Sequence, residues 1–208
     1  GLRPLIHEEG KSASQLSRKD EIFESATGLI SIAGGKLTGY RKMAERVVSL
    51  VIKKHFQGRQ LGKCHTHRIK LAGGDFHSKK DVRKYTLRLM KTLKMYYLPD
   101  ITVNYLVANY GRQTDLVISY FKEIEEADTD LRLLKAELTF CVHHEMVITL
   151  LDFFVRRTGL AYFHIGKVIR YKDEISSFMK KLVVFDEVTA NRQLATLEEF
   201  ITSIKSFK

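Results

Sequence analysis

The chain has 208 residues, 44% of them apolar and 28% charged, with a formal net charge of +11. That length and apolar content suffice for one good hydrophobic core, or for a small remnant joined to a domain of about 150 residues. With two prolines, no long Gly or Ser run and no apolar stretch near the roughly 20 residues that span a bilayer, a folded, soluble chain is expected. Cys64 and Cys141 form no CxxC pair and no cleavable signal pattern opens the chain, which fits two inert buried thiols in a reducing, cytoplasmic setting. The charge is local: between Lys53 and Lys94, thirteen Lys and Arg face two acids, Asp75 and Asp81, so this window carries the whole excess of +11. Such a block attracts anionic lipid or nucleic acid over about a Debye length. Gly1-Leu-Arg-Pro-Leu5 reads as the middle of a domain, so a piece of a larger protein is expected.

In chain order, Thr27 to Gly39 is an apolar, β-prone run ending in paired glycines, a strand followed by a tight turn. Tyr40, Met43, Ala44, Val47, Val48 and Val51 then recur at helical spacing, predicting a helix from about Thr38 to His55 with the Thr38 hydroxyl as its N-cap. Between Phe56 and Asp75 the periodicity disappears, and glycine-containing patches at Gln57–Gly62 and Ala72–Asp75 bracket a basic stretch, read as a linker over 57–75. Helices alone follow over 76–208. Ser78 caps one to about Leu98 whose apolar face is Val82, Tyr85, Leu89, Leu93 and Tyr96, with Pro99 beyond it. Further spans are Ile101–Asn109, Gln113–Glu126, a long pattern from Leu131 to Arg157 with room for a break, Phe163–Lys172 and Glu187–Ser206, with Gly111 and Gly159 as stops. The fold class is mainly α: a helical domain preceded by the strand-turn-helix edge of an α/β layer.

The stretch with most chemical content is Ala33-Gly-Gly-Lys-Leu-Thr38. A glycine pair before a helix lets a ligand approach the backbone, and the helix N-terminus presents unpaired amides carrying about half a positive charge. The chain has neither GxGxxG nor the Walker pattern, so the residues alone leave open a plain tight turn with Lys36 in solvent.

Gly28-Leu-Ile-Ser-Ile-Ala-Gly-Gly-Lys-Leu-Thr-Gly-Tyr-Arg-Lys-Met-Ala-Glu45 resembles the closing segment of the flavin domain in FAD-dependent glycerol-3-phosphate dehydrogenases and α-glycerophosphate oxidases. Gly1-Leu-Arg-Pro-Leu5 and Ser17-Arg-Lys-Asp20 resemble further elements of that family, and Ala136-Glu-Leu, His144-Glu-Met146 and Leu151–Thr158 its helical C-terminal domain. Gly39 departs from the family pattern, which usually has a second Thr there. The resemblance implies that residues 1–56 close an FAD- and substrate-binding domain. It implies that Gly34, Gly35, Lys36, Leu37 and Thr38 lie against the flavin, and that Arg3, Lys36 and Arg18 bind glycerol 3-phosphate, with Lys36 also catalytic. An electron-poor helix end suits the charge gathered by a reduced flavin, and Arg and Lys suit a phosphate dianion. Quinone or oxygen would be the electron acceptor, and the N-terminal FAD domain a necessary partner. The isolated chain is expected to be inactive. A homodimer is compatible with this reading.

Competing readings are weaker. Cys64-His65-Thr-His67 and His143-His144-Glu145 bring metal-type ligands together, but neither completes a zinc spacing, so no metal is expected. Lys80, Lys84, Lys91 and Lys94 follow one helical face with Arg88 nearby, yet no nucleic-acid-binding signature accompanies them. An anionic membrane fits better, with the protein peripheral on the inner face of the plasma membrane. A polyanion- or membrane-binding helical interaction module is the alternative function. Of the pair Arg156-Arg157, Asp152 is spaced to bind Arg156.

Overall fold

The computed structural model describes residues 20–34 and 37–206. Arg3, Arg18, Gly35 and Lys36 lie outside them. The chain forms two compact units, Gly1–Lys70 and Leu71–Lys208.

In the first unit, β1 (Glu21–Glu24) and β2 (Ile30–Ala33) pair antiparallel, with Glu21 opposite Ala33 and Glu24 opposite Ile30. The turn between them closes through Ser25, whose hydroxyl accepts from the Leu29 amide at 3.0 Å, and through Gly28 at φ 84, a left-handed conformation that glycine adopts without a Cβ clash. A short 3-10 turn, Leu37–Gly39, leads into α1 (Tyr40–His55). Ion pairs Arg46–Asp20 and Lys54–Glu24 tie α1 to the hairpin. Exposed pairs contribute at most about 1 kcal/mol each, and a two-stranded sheet alone is marginal. Among the described residues of this unit none is fully buried.

The second unit is all helix: α2 (Lys79–Leu93), α3 (Asp100–Tyr110), α4 (Thr114–Glu123), α5 (Thr129–Glu145), α6 (Leu160–Phe163), α7 (Ile165–Val183) and α8 (Glu187–Lys205). Phe121, Phe140, Phe153, Phe154, Ile175 and Leu197 are fully buried in one continuous core. Burying each such side chain stabilises the fold by roughly 1.5–3 kcal/mol. The helix starts are fastened by side chains. Ser78 accepts from the Asp81 amide at 3.2 Å, and Asp186 from the Thr189 amide at 2.7 Å. Asp128 caps α5 through the Asp130 and Leu131 amides and also accepts from the Tyr171 hydroxyl at 2.7 Å, so one carboxylate starts α5 and docks α7.

Several boundaries differ from the sequence reading. The hairpin partner β1 was not expected, because Glu21-Ile-Phe-Glu24 is short and half polar. The long pattern from Leu131 breaks after Glu145, where Met146 turns left-handed at φ 58, and resumes as a π-helical segment, Asp152–Arg157. Thr158 closes that wide turn, its amide and hydroxyl both donating to the Phe153 carbonyl, at 3.0 and 2.8 Å. The helix expected to end at Lys172 runs on to Val183, because Val168, Tyr171, Ile175 and Met179 continue one buried stripe. Ala72–Asp75, read as linker, includes a backbone contact with the helices. The Arg112 amide donates to the Gly73 carbonyl at 2.9 Å, and a Cβ on Gly73 would stand 2.3 Å from the Tyr110 oxygen.

Candidate functional site

The β2–α1 loop is the site the sequence singled out, and its described part is built as follows. Gly34 ends β2 where α1 packs across it. A Cβ there would lie 2.6 Å from Met43 Cε and 3.1 Å from Asp20 Cβ, so its bareness serves the protein's own packing. Leu37 is 88% exposed and Thr38 is also exposed. Thr38 does not cap α1. The chain already coils into the 3-10 turn at Leu37, which carries Thr38 inside a turn and moves the N-cap to Gly39, at φ −86, ψ −7 and with no side-chain hydrogen bond. Among the described residues no side chain caps the start of α1, and a helix N-terminus favours an electron-rich ligand atom. Farther along α1, Glu45 accepts from Lys42 at 2.7 Å and Arg41 at 2.8 Å, and those hydrogen bonds hold its carboxyl below the usual range.

The second site residue set is the basic face of α2. Lys80, Lys84, Lys91 and Lys94 are exposed, and among the described residues none of these ammonium groups has an ion-pair or hydrogen-bond partner. Arg88, by contrast, reaches Asp115 at 3.2 Å. Asp152 pairs with Arg156 as its spacing predicts. Arg157 turns the other way, donating to the Glu145 carbonyl at 2.8 Å.

The metal-type clusters have other occupations. Cys64 Sγ lies 3.2 Å from the Thr66 hydroxyl, which lowers the thiol pKa from its ordinary value, and Cys64 is exposed, contrary to the buried thiol expected; Cys141 is buried, and burial pushes its thiol up. Tyr120 bonds His144 Nε2 at 3.0 Å and His143 Nδ1 at 3.3 Å on the surface, and Phe140 stacks on the His144 ring.

Two features escaped sequence reasoning. Glu137 is buried on α5, its Oε1 accepting from Tyr110 at 2.8 Å and Tyr105 at 2.9 Å. Burial pushes its carboxyl up to about 7, against the opposing pull of the two hydroxyls. Arg112 knits the entry of the helical unit: its Nε donates to the Asp75 carbonyl at 3.1 Å, its Nη2 meets Asp81 at 3.5 Å, and its guanidinium lies 4.6 Å from the Phe76 ring centre. A glutamate amid Leu and Ala on a helix, and an arginine after a glycine, were the only signals in the sequence.

The model of the C-terminal domain of alpha-glycerophosphate oxidase matches residues 64–190, most of the chain. The chain belongs to this family. It is 38% identical over 207 residues to the aerobic glycerol-3-phosphate dehydrogenase of Bacillus subtilis, covering 97% of this chain and 37% of that protein. With the enzyme of the same name from Staphylococcus saprophyticus it shares 37% over 191 residues, 90% of this chain and 34% of the relative. The X-ray structure of the glycerol-3-phosphate dehydrogenase from Bacillus halodurans complexed with FAD superimposes with a TM-score of 0.76 at 36% identity, over 87% of this chain and 36% of that one. The chain thus spans little more than a third of the length of these relatives. Its mainly α architecture with a small strand remnant agrees with the helical C-terminal domain that the resemblance implied.

Proposed function

We propose that the chain is the C-terminal part of an FAD-dependent glycerol-3-phosphate dehydrogenase, oxidising sn-glycerol 3-phosphate to dihydroxyacetone phosphate. The observation that carries this is 38% identity to the Bacillus subtilis dehydrogenase along 97% of the chain. The FAD complex of the Bacillus halodurans relative supports the cofactor. FAD, when bound, takes up the hydride from the substrate carbon and gathers negative charge around N1. The β2–α1 loop fits such a group: the start of α1 lacks a side-chain cap, Leu37 and Thr38 are exposed, and the helix N-terminus favours negative charge. Gly34, Gly35, Lys36, Leu37 and Thr38 would hold the flavin edge. Arg3 and Lys36, with Arg18, would bind the phosphate dianion, and Lys36 would steady the reacting oxygen. Phe23, Ile32 and Val48 are left uncovered among the described residues, which fits a segment completed by the N-terminal FAD domain. The isolated chain would be inactive. Electrons would pass to quinone, which favours the inner face of the plasma membrane; an oxidase would use oxygen instead.

The test uses the complete polypeptide that contains this chain. Lys36→Met is expected to lower kcat/KM for glycerol 3-phosphate by about 10² or more, near 3 kcal/mol of transition-state stabilisation, with the flavin absorption spectrum unchanged. Gly35→Val sets a β-branched side chain against the ring and is expected to lose FAD first. Near-normal turnover in Lys36→Met removes that residue from the site. A complete polypeptide that binds no FAD overturns the reading as a whole.

A further inference from the structure

We propose that Tyr120, His143 and His144 form a surface site for a divalent transition-metal ion of the zinc type, joining α4 to the end of α5. The inference uses the helical unit alone and does not depend on the flavoenzyme reading.

The sequence supplies the two histidines as neighbours, a spacing that by itself completes no zinc pattern. Among the described residues, no three of His, Cys, Asp and Glu gather as a ligand set either. The fold supplies a third donor of another kind. Tyr120, on α4, sets its hydroxyl oxygen 3.0 Å from His144 Nε2 and 3.3 Å from His143 Nδ1, in the last turn of α5.

These distances fit coordination. Donor atoms that each lie about 2.0–2.1 Å from a tetrahedral zinc stand about 3.4 Å from one another. Both oxygen–nitrogen distances are already close to that edge. The imidazole ring centres are 6.4 Å apart, so a small side-chain rotation closes the pair on an ion, and both histidines are exposed enough to make it. Each imidazole also rests on an aromatic wall. Phe140, itself buried, stacks on His144 with ring centres 5.0 Å apart, and the Tyr120 ring meets His143 edge-on at 5.8 Å.

The protons follow from the same contacts. A phenol can donate its single proton to only one of the two nitrogens, so the other ring must donate its own N–H to the oxygen. A bound ion replaces both hydrogen bonds. The phenol proton leaves to solvent, and the imidazole proton is exchanged through water onto the far nitrogen of its ring. The ion then takes lone pairs from two neutral imidazoles and one phenolate, with about one proton released from the tyrosine per ion bound. Imidazole donors select zinc, copper or nickel over magnesium or calcium. The adjacent carboxylate does not reverse that choice, because Glu145 is drawn to Arg157 at 3.6 Å. Water completes the coordination at this exposed surface.

The test titrates Zn2+ into the full 208-residue chain by calorimetry, with the exposed Cys64 thiol first capped by N-ethylmaleimide so that it takes no metal. The tightest site is expected to weaken at least roughly tenfold in His143→Gln and in His144→Gln. Tyr120→Phe keeps the ring and removes only the oxygen. It is expected to weaken binding by a similar factor and to abolish the release of about one proton per ion, read from heats measured in buffers of different ionisation enthalpy. A hydroxyl with a purely structural role leaves that proton count unchanged. With Co2+ as a visible probe, the parent is expected to show the intense bands of a tetrahedral ion and each histidine variant to lose them. Unchanged zinc affinity in both histidine variants overturns the proposal, as does a proton count in Tyr120→Phe equal to that of the parent.

Discussion

Helices α1 and α2 are nearly the same length, 16 and 15 residues, and both carry an apolar stripe opposite basic residues. In sequence they look alike. In the structure α2 buries Tyr85, Leu89 and Leu93, whereas α1 has no buried residue, and α2 starts on a working Ser78 cap while α1 starts on bare Gly39. Periodicity says that a stripe wants cover; only the surrounding chain decides whether it receives it. The helical unit supplies that cover from its own sequence, and the described residues of the first unit supply little.

This contrast can be broken, most forcefully in the core. Phe140→Ala in α5 is expected to cost the helical unit about 3–5 kcal/mol in chemical denaturation, while Val48→Ala in α1 shifts stability by no more than about 0.5 kcal/mol. Comparable losses at both positions would mean that α1 is as well packed as α5.

The glycines sharpen it next. A Cβ on Gly111, at φ +55, would stand 2.2 Å from the Gly73 oxygen, whereas one on Gly58, at φ +89, meets nothing within 4 Å. Gly111→Ala is expected to cost about 2–4 kcal/mol through overpacking and a strained backbone, and Gly58→Ala only the roughly 1 kcal/mol of the backbone alone. Thermal melts of the two variants side by side decide it.

Glu137 makes the helical unit's stability depend on pH. Its carboxyl is raised by burial to about 7 when folded, from a reference value of 4.5. Between those values the folded state holds a proton that the unfolded state has released, so this group's contribution to stability is greatest below about 4.5 and is lost as pH rises through about 7. The loss is on the order of 3 kcal/mol. Glu137→Gln keeps an acceptor for Tyr105 and Tyr110 without the charge. Its stability relative to the parent is therefore expected to rise across that window, as followed by urea unfolding at several pH values. A difference that does not change with pH would show that Glu137 titrates outside this range.

The smallest expected effect separates the two helix starts. Ser78→Ala is expected to cost about 1 kcal/mol, and Thr38→Ala almost nothing, because Thr38 makes no capping bond. Equal effects on thermal unfolding would return Thr38 to the role its position suggests.

What was legible followed from local rules. Ser78 announced α2, Gly111 and Gly159 ended their segments with left-handed backbones, and the spacing of Asp152 and Arg156 foretold their pair. What was not legible depended on distant partners. Burial of Glu137 needs Tyr105 and Tyr110 from α3, and the fold-back of Gly73 needs Tyr110 and Gly111 nearly forty residues later. Gln193 on α8 holds the start of the π-helical region, accepting from the Leu150 amide at 3.1 Å and donating to the Ile148 carbonyl at 3.3 Å, a pairing no periodicity encodes. For the candidate loop, local spacing located the strand, glycines and helix. It missed the 3-10 turn that moves the cap by one residue, a change decided by where the chain begins to coil.

The unequal surroundings of Cys64 and Cys141 make the molecule selectively addressable. A maleimide reagent meets Cys64 in solvent, with a thiol that ionises more readily than usual, while Cys141 is enclosed and resists ionisation. The folded 208-residue chain should therefore accept one fluorophore without mutagenesis, six residues before the boundary between the two units. A dye there becomes a local reporter: its fluorescence anisotropy would measure how freely the segment around Cys64 moves in solution.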